Sequence, residues 1–281
     1  MSGANTPPRL RSRTASLLEH AGGPKALIAY AKKVGFDTTK FPEEMGVSLG
    51  QAEVTPLAMA QFAGVVSNGG KKIVATPVYR AVDPAGVERV SPPVAGEVVI
   101  DPGAAALTRE LMRSVIDIGT GGASRGAGGE GGYQGPAMGK TGTTDGENDL
   151  WFVGATPKLA MAIWVGYDQP TQLGVAASDL AAPLWGWWMN RATKVDVTEK
   201  DSAGMPIYPK WPDEPKISHR SICKVSGALM NGSCPGISAP FLEGTTPKKG
   251  CSISHPPPEP AELGPDGLPK PKHESLWKKL A

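Results

Sequence analysis

Lys140-Thr141-Gly142-Thr143-Thr144 sets an amine, three hydroxyls and a bare backbone side by side in a segment that otherwise reads as a β-strand. Several chemical needs meet in such a stretch. A peptide can add itself to an exposed sheet edge through backbone hydrogen bonds, and a glycine there removes the side chain that would hold it away. Threonine hydroxyls bind a carboxylate, while a nearby ammonium supplies positive potential and assists proton transfer. A backbone N–H of the strand can face a developing oxyanion. An acyl-transfer enzyme acting on a peptide that ends in a carboxylate wants all of these. The same residues also suit a plain edge strand with a solvated lysine guarding it, and a bare Lys-Thr-Gly triplet is common by chance.

Cys223, Cys234 and Cys251 form a second concentration of reactive groups, with His219 and His255 each four residues outside them. Thiolates and imidazoles ligate zinc, yet no Cys-x2-Cys pair exists. In an oxidising compartment one disulfide, most simply Cys223–Cys234, would leave a thiol over. That pairing ranks first, free thiols second and zinc third, so neither a metal ligand nor a cofactor is assigned. Trp164, Trp185, Trp187 and Trp188 could stack on a sugar; core packing is preferred, with Trp185 and Trp188 inward.

The elements that must position these groups follow from pattern. Leu27, Ala31 and Val34 share one face of a helix that Gly35 stops. Thr55 caps the next, with Pro56 at its first position, Met59, Phe62 and Val66 inward, and Asn68-Gly69 closing it. Residues 75–90 alternate on both sides of Asp83-Pro84-Ala85-Gly86 and predict a hairpin. Asp101 and Pro102 start a helix with Leu107, Leu111 and Val115 inward and Gly119 as its stop. The glycine-dense residues 120–135 predict a mobile loop. Two strands, DLWFVGAT and LAMAIWVGYD, turn at Pro157-Lys158, and residues 178–193 form a last helix.

Beyond residue 195 prolines recur, and from residue 256 the chain is too poor in apolar residues to order itself. The formal net charge of +2 gives no electrostatic case for nucleic acid. Neither a secretory signal nor a transmembrane run is visible.

Taken in order, "GKTGTT…DLWFVGATPKLAMAIWVGYDQP…AAPLW" resembles the C-terminal half of a class A penicillin-binding protein. "LGQAEVTPLAMAQFAGVVSNGG", "MRSVIDIGTGGAS" and the cysteine segment "ICKVSGALMNGSCPGISAPFLEGTTPKKGC" are similar to collinear segments of that family. The resemblance runs from about Gly23 to Cys251. It implies an α+β fold, an antiparallel sheet with flanking helices like that of the serine β-lactamases and transpeptidases, N-terminally incomplete. The implied domains are a partial transpeptidase over 1–195, a Cys-containing segment over 196–255 and a disordered tail over 256–281.

The implied activity is D,D-transpeptidase cross-linking of peptidoglycan stem peptides ending in D-Ala-D-Ala, with β-lactam binding, at the periplasmic face of the cytoplasmic membrane. Lys140 would be the third-motif lysine, and Thr141 and Thr143 would hold the carboxylate beside Thr144. Gly142 would give clearance, and the Thr143 N–H would be half of the oxyanion hole. Asp149, Trp151 and Phe152 are expected to support the fold.

The family's nucleophile is a serine followed by a lysine one helical turn on. Only Ser221–Lys224 and Ser275–Lys278 have that spacing, both after the Lys-Thr-Gly strand, against the family's order, and both are rejected. Ser12-Arg13-Thr14 is a poor second motif, with threonine where the family has asparagine. The nucleophile is therefore unknown, and a missing N-terminal part of the transpeptidase is the implied partner. A non-catalytic peptide-binding module, or a gene remnant, is the rival reading.

Overall fold

A computed structural model of the chain describes residues 8–72, 74–78, 80–90, 96–126, 131–193, 200–202, 204, 206–211 and 215–255, with the backbone alone for 8–13. The expected tail from residue 256 lies outside them. The chain divides into two units, Met1–Ile217 and Ser218–Ala281. The division falls later than residue 195 because Tyr208 and Trp211 pack against hydrophobic clusters of the first unit.

In the first unit the helices start and stop where local chemistry directs. After α1 (Pro8–His20), α2 (Gly23–Val34) ends at Gly35, whose φ of 110° is open to glycine and costly for other residues. Thr55 caps α3 (Pro56–Ser67), its hydroxyl accepting from Ala58 N at 3.2 Å. Asp101 caps α4 (Pro102–Asp117), its carboxylate accepting from Ala104 N at 3.0 Å. Each has proline at its start, where the missing N–H costs nothing. The expected hairpin is β1 (Ala81–Val82) and β2 (Glu88–Val90), its turn held by Asp83 Oδ1, which accepts from Ala85 N and Val87 N at 2.9 Å each.

The central sheet is antiparallel, in the order β3 (Met138–Thr143), β4 (Asp149–Ala155), β5 (Ala160–Gly166). Its two faces bury different clusters. Met138 and Val153 join Val65, Val66 and Ala105 from α3 and α4. Leu150 and Phe152 join Ile116 and, from α5 (Ala181–Thr193), Trp185 and Met189. Trp185 is wholly buried and its indole N–H donates to Met161 O at 3.1 Å. Burial of each such large side chain contributes about 1.5–3 kcal/mol. This is the expected α+β architecture.

Three details differ from the sequence expectation. The buried face of α4 runs through Ala105, Arg109 and Ile116, while Leu111 is exposed. Arg109 goes inward because its guanidinium lies 4.8 Å from the centre of the Trp211 ring. Burial lowers its pKa to about 10, still charged at neutral pH. Trp188 is exposed, edge-on to Trp187, whose ring carries the Arg191 guanidinium at 3.5 Å; only Trp185 of the pair packs inward.

The third concerns the glycine-dense segment after α4, which contains a short 3-10 helix, Gly122–Arg125, with Ser124 and Gly121 buried. Arg125 fixes it by donating to Tyr133 O and Gly135 O at 3.0 and 2.6 Å.

The second unit carries β6 (Ile217–Cys223) from its second residue on, and β7 (Gly236–Leu242), which together form a two-stranded sheet. Its described residues contain no buried aliphatic or aromatic side chain.

Candidate active site

β3 pairs only with β4, so Lys140 to Thr143 stand on an edge strand. Alternation places Lys140 and Gly142 on the face of Val153 and Trp151, and Thr141 and Thr143 on the face of Phe152 and Leu150. A backbone ladder of this kind alternates bonded and unbonded pairs. Thr144 N donates to Asp149 O at 3.1 Å, so in this register Lys140 and Gly142 turn their amide groups toward β4. Thr141 and Thr143 therefore turn their N–H and C=O groups to the outer edge. Among the described residues no strand pairs there.

The side chains around that edge are ordered by short contacts. Lys140 Nζ folds back to donate to Thr141 O at 2.7 Å. The residue is exposed, yet surrounding protein atoms strip enough hydration to lower the ammonium pKa below the ordinary lysine value. Thr141 Oγ1 lies 2.6 Å from Thr120 Oγ1, a hydroxyl from the loop after α4. Thr143 Oγ1 accepts from Ala177 N at 3.1 Å, which leaves its own hydrogen to donate.

Thr144 is committed to the turn. Its hydroxyl accepts from Asp149 N at 2.8 Å and donates to Asp149 Oδ2 at 3.1 Å. Asp149 Oδ1 accepts from Trp164 Nε1 at 2.9 Å. With Phe152 buried and Trp151 tilted against Trp164, the three residues expected to be structural are so. A Cβ on Gly142 would stand 3.2 Å from Trp151 Cβ, so this glycine serves the packing of β4 as well as the outer edge.

The edge thus offers two outward amides, the hydroxyls of Thr120, Thr141 and Thr143, and one ammonium. Such a set binds an anion and an extended backbone. Thr120 escaped the sequence reading; its signal was its place in "IDIGTGGAS", just ahead of the strand. A cavity of about 380 Å³ lined by Arg113, Arg125 and Tyr208 reaches only Ala137 and includes none of the edge residues.

Of the two serines with a lysine three residues on, the one that is described does not fit a nucleophile. Ser221 is exposed on β6, a strand that ends at Cys223, so Lys224 lies in the turn beyond it and not one helical turn from the serine. Ser275 lies outside the described residues, as does the side chain of Ser12, whose backbone is in α1.

In the second unit, the expected Cys223–Cys234 disulfide is absent, for all three cysteines are free thiols. Their sulfurs and a ring nitrogen of His255 lie within 4.8 Å of one another, where the sequence reading assigned no metal ligand. His219, exposed on β6, is not among them. The cluster forms because Cys223 ends β6, Leu229 bridges both Ile222 and Gly250, and Asn231 Nδ2 donates to Cys251 O at 2.9 Å.

A family model for the penicillin-binding protein transpeptidase domain matches residues 14–185. Penicillin-binding protein 1A of Neisseria flavescens is 35% identical over 172 residues, 59% of this chain and 21% of that protein. Penicillin-binding protein 2D of Bacillus subtilis is 29% identical over 270 residues, 91% of this chain and 36% of that one. The chain therefore spans about a fifth to a third of the length of these curated relatives.

Among solved structures, penicillin-binding protein 1A of Haemophilus influenzae shares the fold, with a TM-score of 0.69 over 86% of this chain and 39% of that one at 22% identity. PonA1 of Mycobacterium tuberculosis in complex with penicillin V gives 0.52 over 69% of this chain and 54% of that one at 25% identity. Among the described residues no helix is long and apolar enough to cross a membrane.

Proposed function

Because the chain belongs to the penicillin-binding protein transpeptidase domain family, we propose that β3 is the substrate-holding wall of a D,D-transpeptidase site. The substrates are peptidoglycan stem peptides ending in D-Ala-D-Ala, and β-lactams are their mimics. The penicillin V complex of the PonA1 relative supports that ligand class. Such substrates lie outside the cytoplasmic membrane, so this reading locates the chain at its periplasmic face.

The observation that carries the reading is the outer edge of β3, with the amides of Thr141 and Thr143 directed away from β4. The terminal carboxylate is held by the hydroxyls of Thr141 and Thr143, with Thr120 positioning the first of them. The Thr143 N–H faces the oxyanion as the acyl carbon becomes tetrahedral. Lys140 supplies positive potential and, with its lowered pKa, gives up a proton more readily than a free lysine. Gly142 keeps the edge clear of a side chain.

No serine of this chain is assigned as nucleophile. That favours, as the second reading, reversible holding of the peptide without acyl transfer by these residues alone.

Incubation with a labelled penicillin, followed by intact-mass measurement, tests the assignment. The expected result is no covalent adduct, together with saturable binding of a peptide ending in D-Ala-D-Ala. Lys140→Ala or Thr141→Val should weaken that binding roughly tenfold, as for a hydrogen bond to a charged group. A stable adduct would overturn the nucleophile statement, and peptide mapping of it would name the serine.

A further inference from the structure

We propose that Cys223, Cys234, Cys251 and His255 hold one zinc ion in a closed tetrahedral site that organises the second unit. The inference is independent of the function proposed for β3.

Geometry is the first support. His255 Nε2 lies 3.3 Å from both Cys223 Sγ and Cys251 Sγ, and all four ligand atoms are within 4.8 Å of one another. Zinc held at about 2.3 Å from sulfur and 2.0–2.1 Å from nitrogen sets tetrahedral neighbours roughly 3.5–3.8 Å apart. The cluster needs only small adjustments to meet that. Since Nε2 faces the sulfurs, ligation there puts the ring proton on Nδ1.

Backbone donors already serve two of the three sulfurs. Val225 N and Ser226 N each approach Cys223 Sγ at 3.4 Å, and Asn231 N approaches Cys234 Sγ at 3.4 Å. Amides directed at sulfur stabilise thiolates and orient them as ligands. Tight turns deliver them: Gly227, at φ 71°, donates to Cys223 O at 2.9 Å, and Cys234 N donates to Asn231 O at 3.2 Å.

The second support is what this unit lacks. Among its described residues only Cys223 and Cys251 are buried; Ile237 and Val225 are exposed, and Phe241 and Leu242 are half-covered. A segment the length of the described residues 218–255, without buried aliphatic or aromatic side chains among them, needs a staple, and a metal ion is one of few available. Here the protected positions are taken by the ligands themselves.

The charge balance is simple. Three thiols release three protons to solvent, and the three thiolates with a neutral imidazole meet Zn²⁺ to leave a net charge of −1. Lys224 adjoins Cys223 and Lys248-Lys249 precede Cys251, so cations adjoin it in the chain. Soft sulfur donors select zinc over magnesium or calcium. With four protein ligands no position is open for water, which makes the site structural and not hydrolytic.

The experiment is metal analysis of the purified full chain by inductively coupled plasma mass spectrometry, prepared without chelator, with free thiols counted after denaturation. The expected result is about one zinc per chain and three free thiols, the stoichiometry of one closed site. Cobalt(II) exchange should give thiolate-to-cobalt charge transfer and intense tetrahedral d–d bands. His255→Gln should weaken retention against a competing chelator roughly tenfold or more, while Ser254→Ala leaves it unchanged. A folded chain without zinc, or one carrying a disulfide between any two of the three cysteines and no metal, would overturn the proposal. So would weak octahedral cobalt bands.

Discussion

The two units of this chain solve the same problem by different physics. The first closes a three-stranded sheet between two apolar clusters, with Trp185, Phe152, Leu150 and Met138 fully buried. The second has a two-stranded sheet and buries only two cysteines among its described residues. Apolar area scales with size, so a short segment cannot repeat the first solution and must concentrate its stability at one point. The comparison also explains why reactive groups have different fates in the two units. In the first, the core does the folding and leaves the edge of β3 available for a ligand. In the second, the reactive groups themselves hold the fold.

Removing metal should separate the two most sharply. A strong chelator should abolish amide-exchange protection between residues 218 and 255, since structural zinc supplies about 10–16 kcal/mol of apparent binding energy. Residues 138–166 should remain protected. Persistent protection in the second unit would break the comparison.

Trp185→Ala acts on the opposite side. Loss of a fully buried aromatic should cost the first unit about 3–5 kcal/mol in denaturant unfolding, with zinc content unchanged. Thr143→Val comes next. It removes the acceptor for the amide of buried Ala177 and should cost about 1–3 kcal/mol by the same measurement. Asp101→Ala, which removes only the cap of α4, should cost about 1 kcal/mol.

How much of this was legible in the sequence follows the range of the interactions. Thr55-Pro56, Asp101-Pro102 and the Asp83 turn were readable because a cap or turn is made by neighbours in the chain. β3 and its lysine were readable from the Lys-Thr-Gly triplet together with the order of the segments around it. The face of α4 was not: Arg109 goes inward over Trp211, a partner that periodicity within the helix does not reveal. Thr120 meets Thr141 only because α4 ends beside β3. The gathering of the three cysteines with His255 was not legible because a metal signature in sequence is two ligands on one tight turn, whereas here they come from separate turns joined by the bridges of Leu229.

The outer edge of β3 is, centrally, a peptide-receiving surface in the function proposed above. Backbone NMR titration of the full chain with a peptide ending in D-Ala-D-Ala tests that directly. Saturable shifts are expected at the amides of Thr141 and Thr143, with smaller ones at Thr120 and Ala177 and none in residues 218–255. Saturable shifts that bypass Thr141 and Thr143, or none anywhere at peptide saturation of a folded chain, would contradict it.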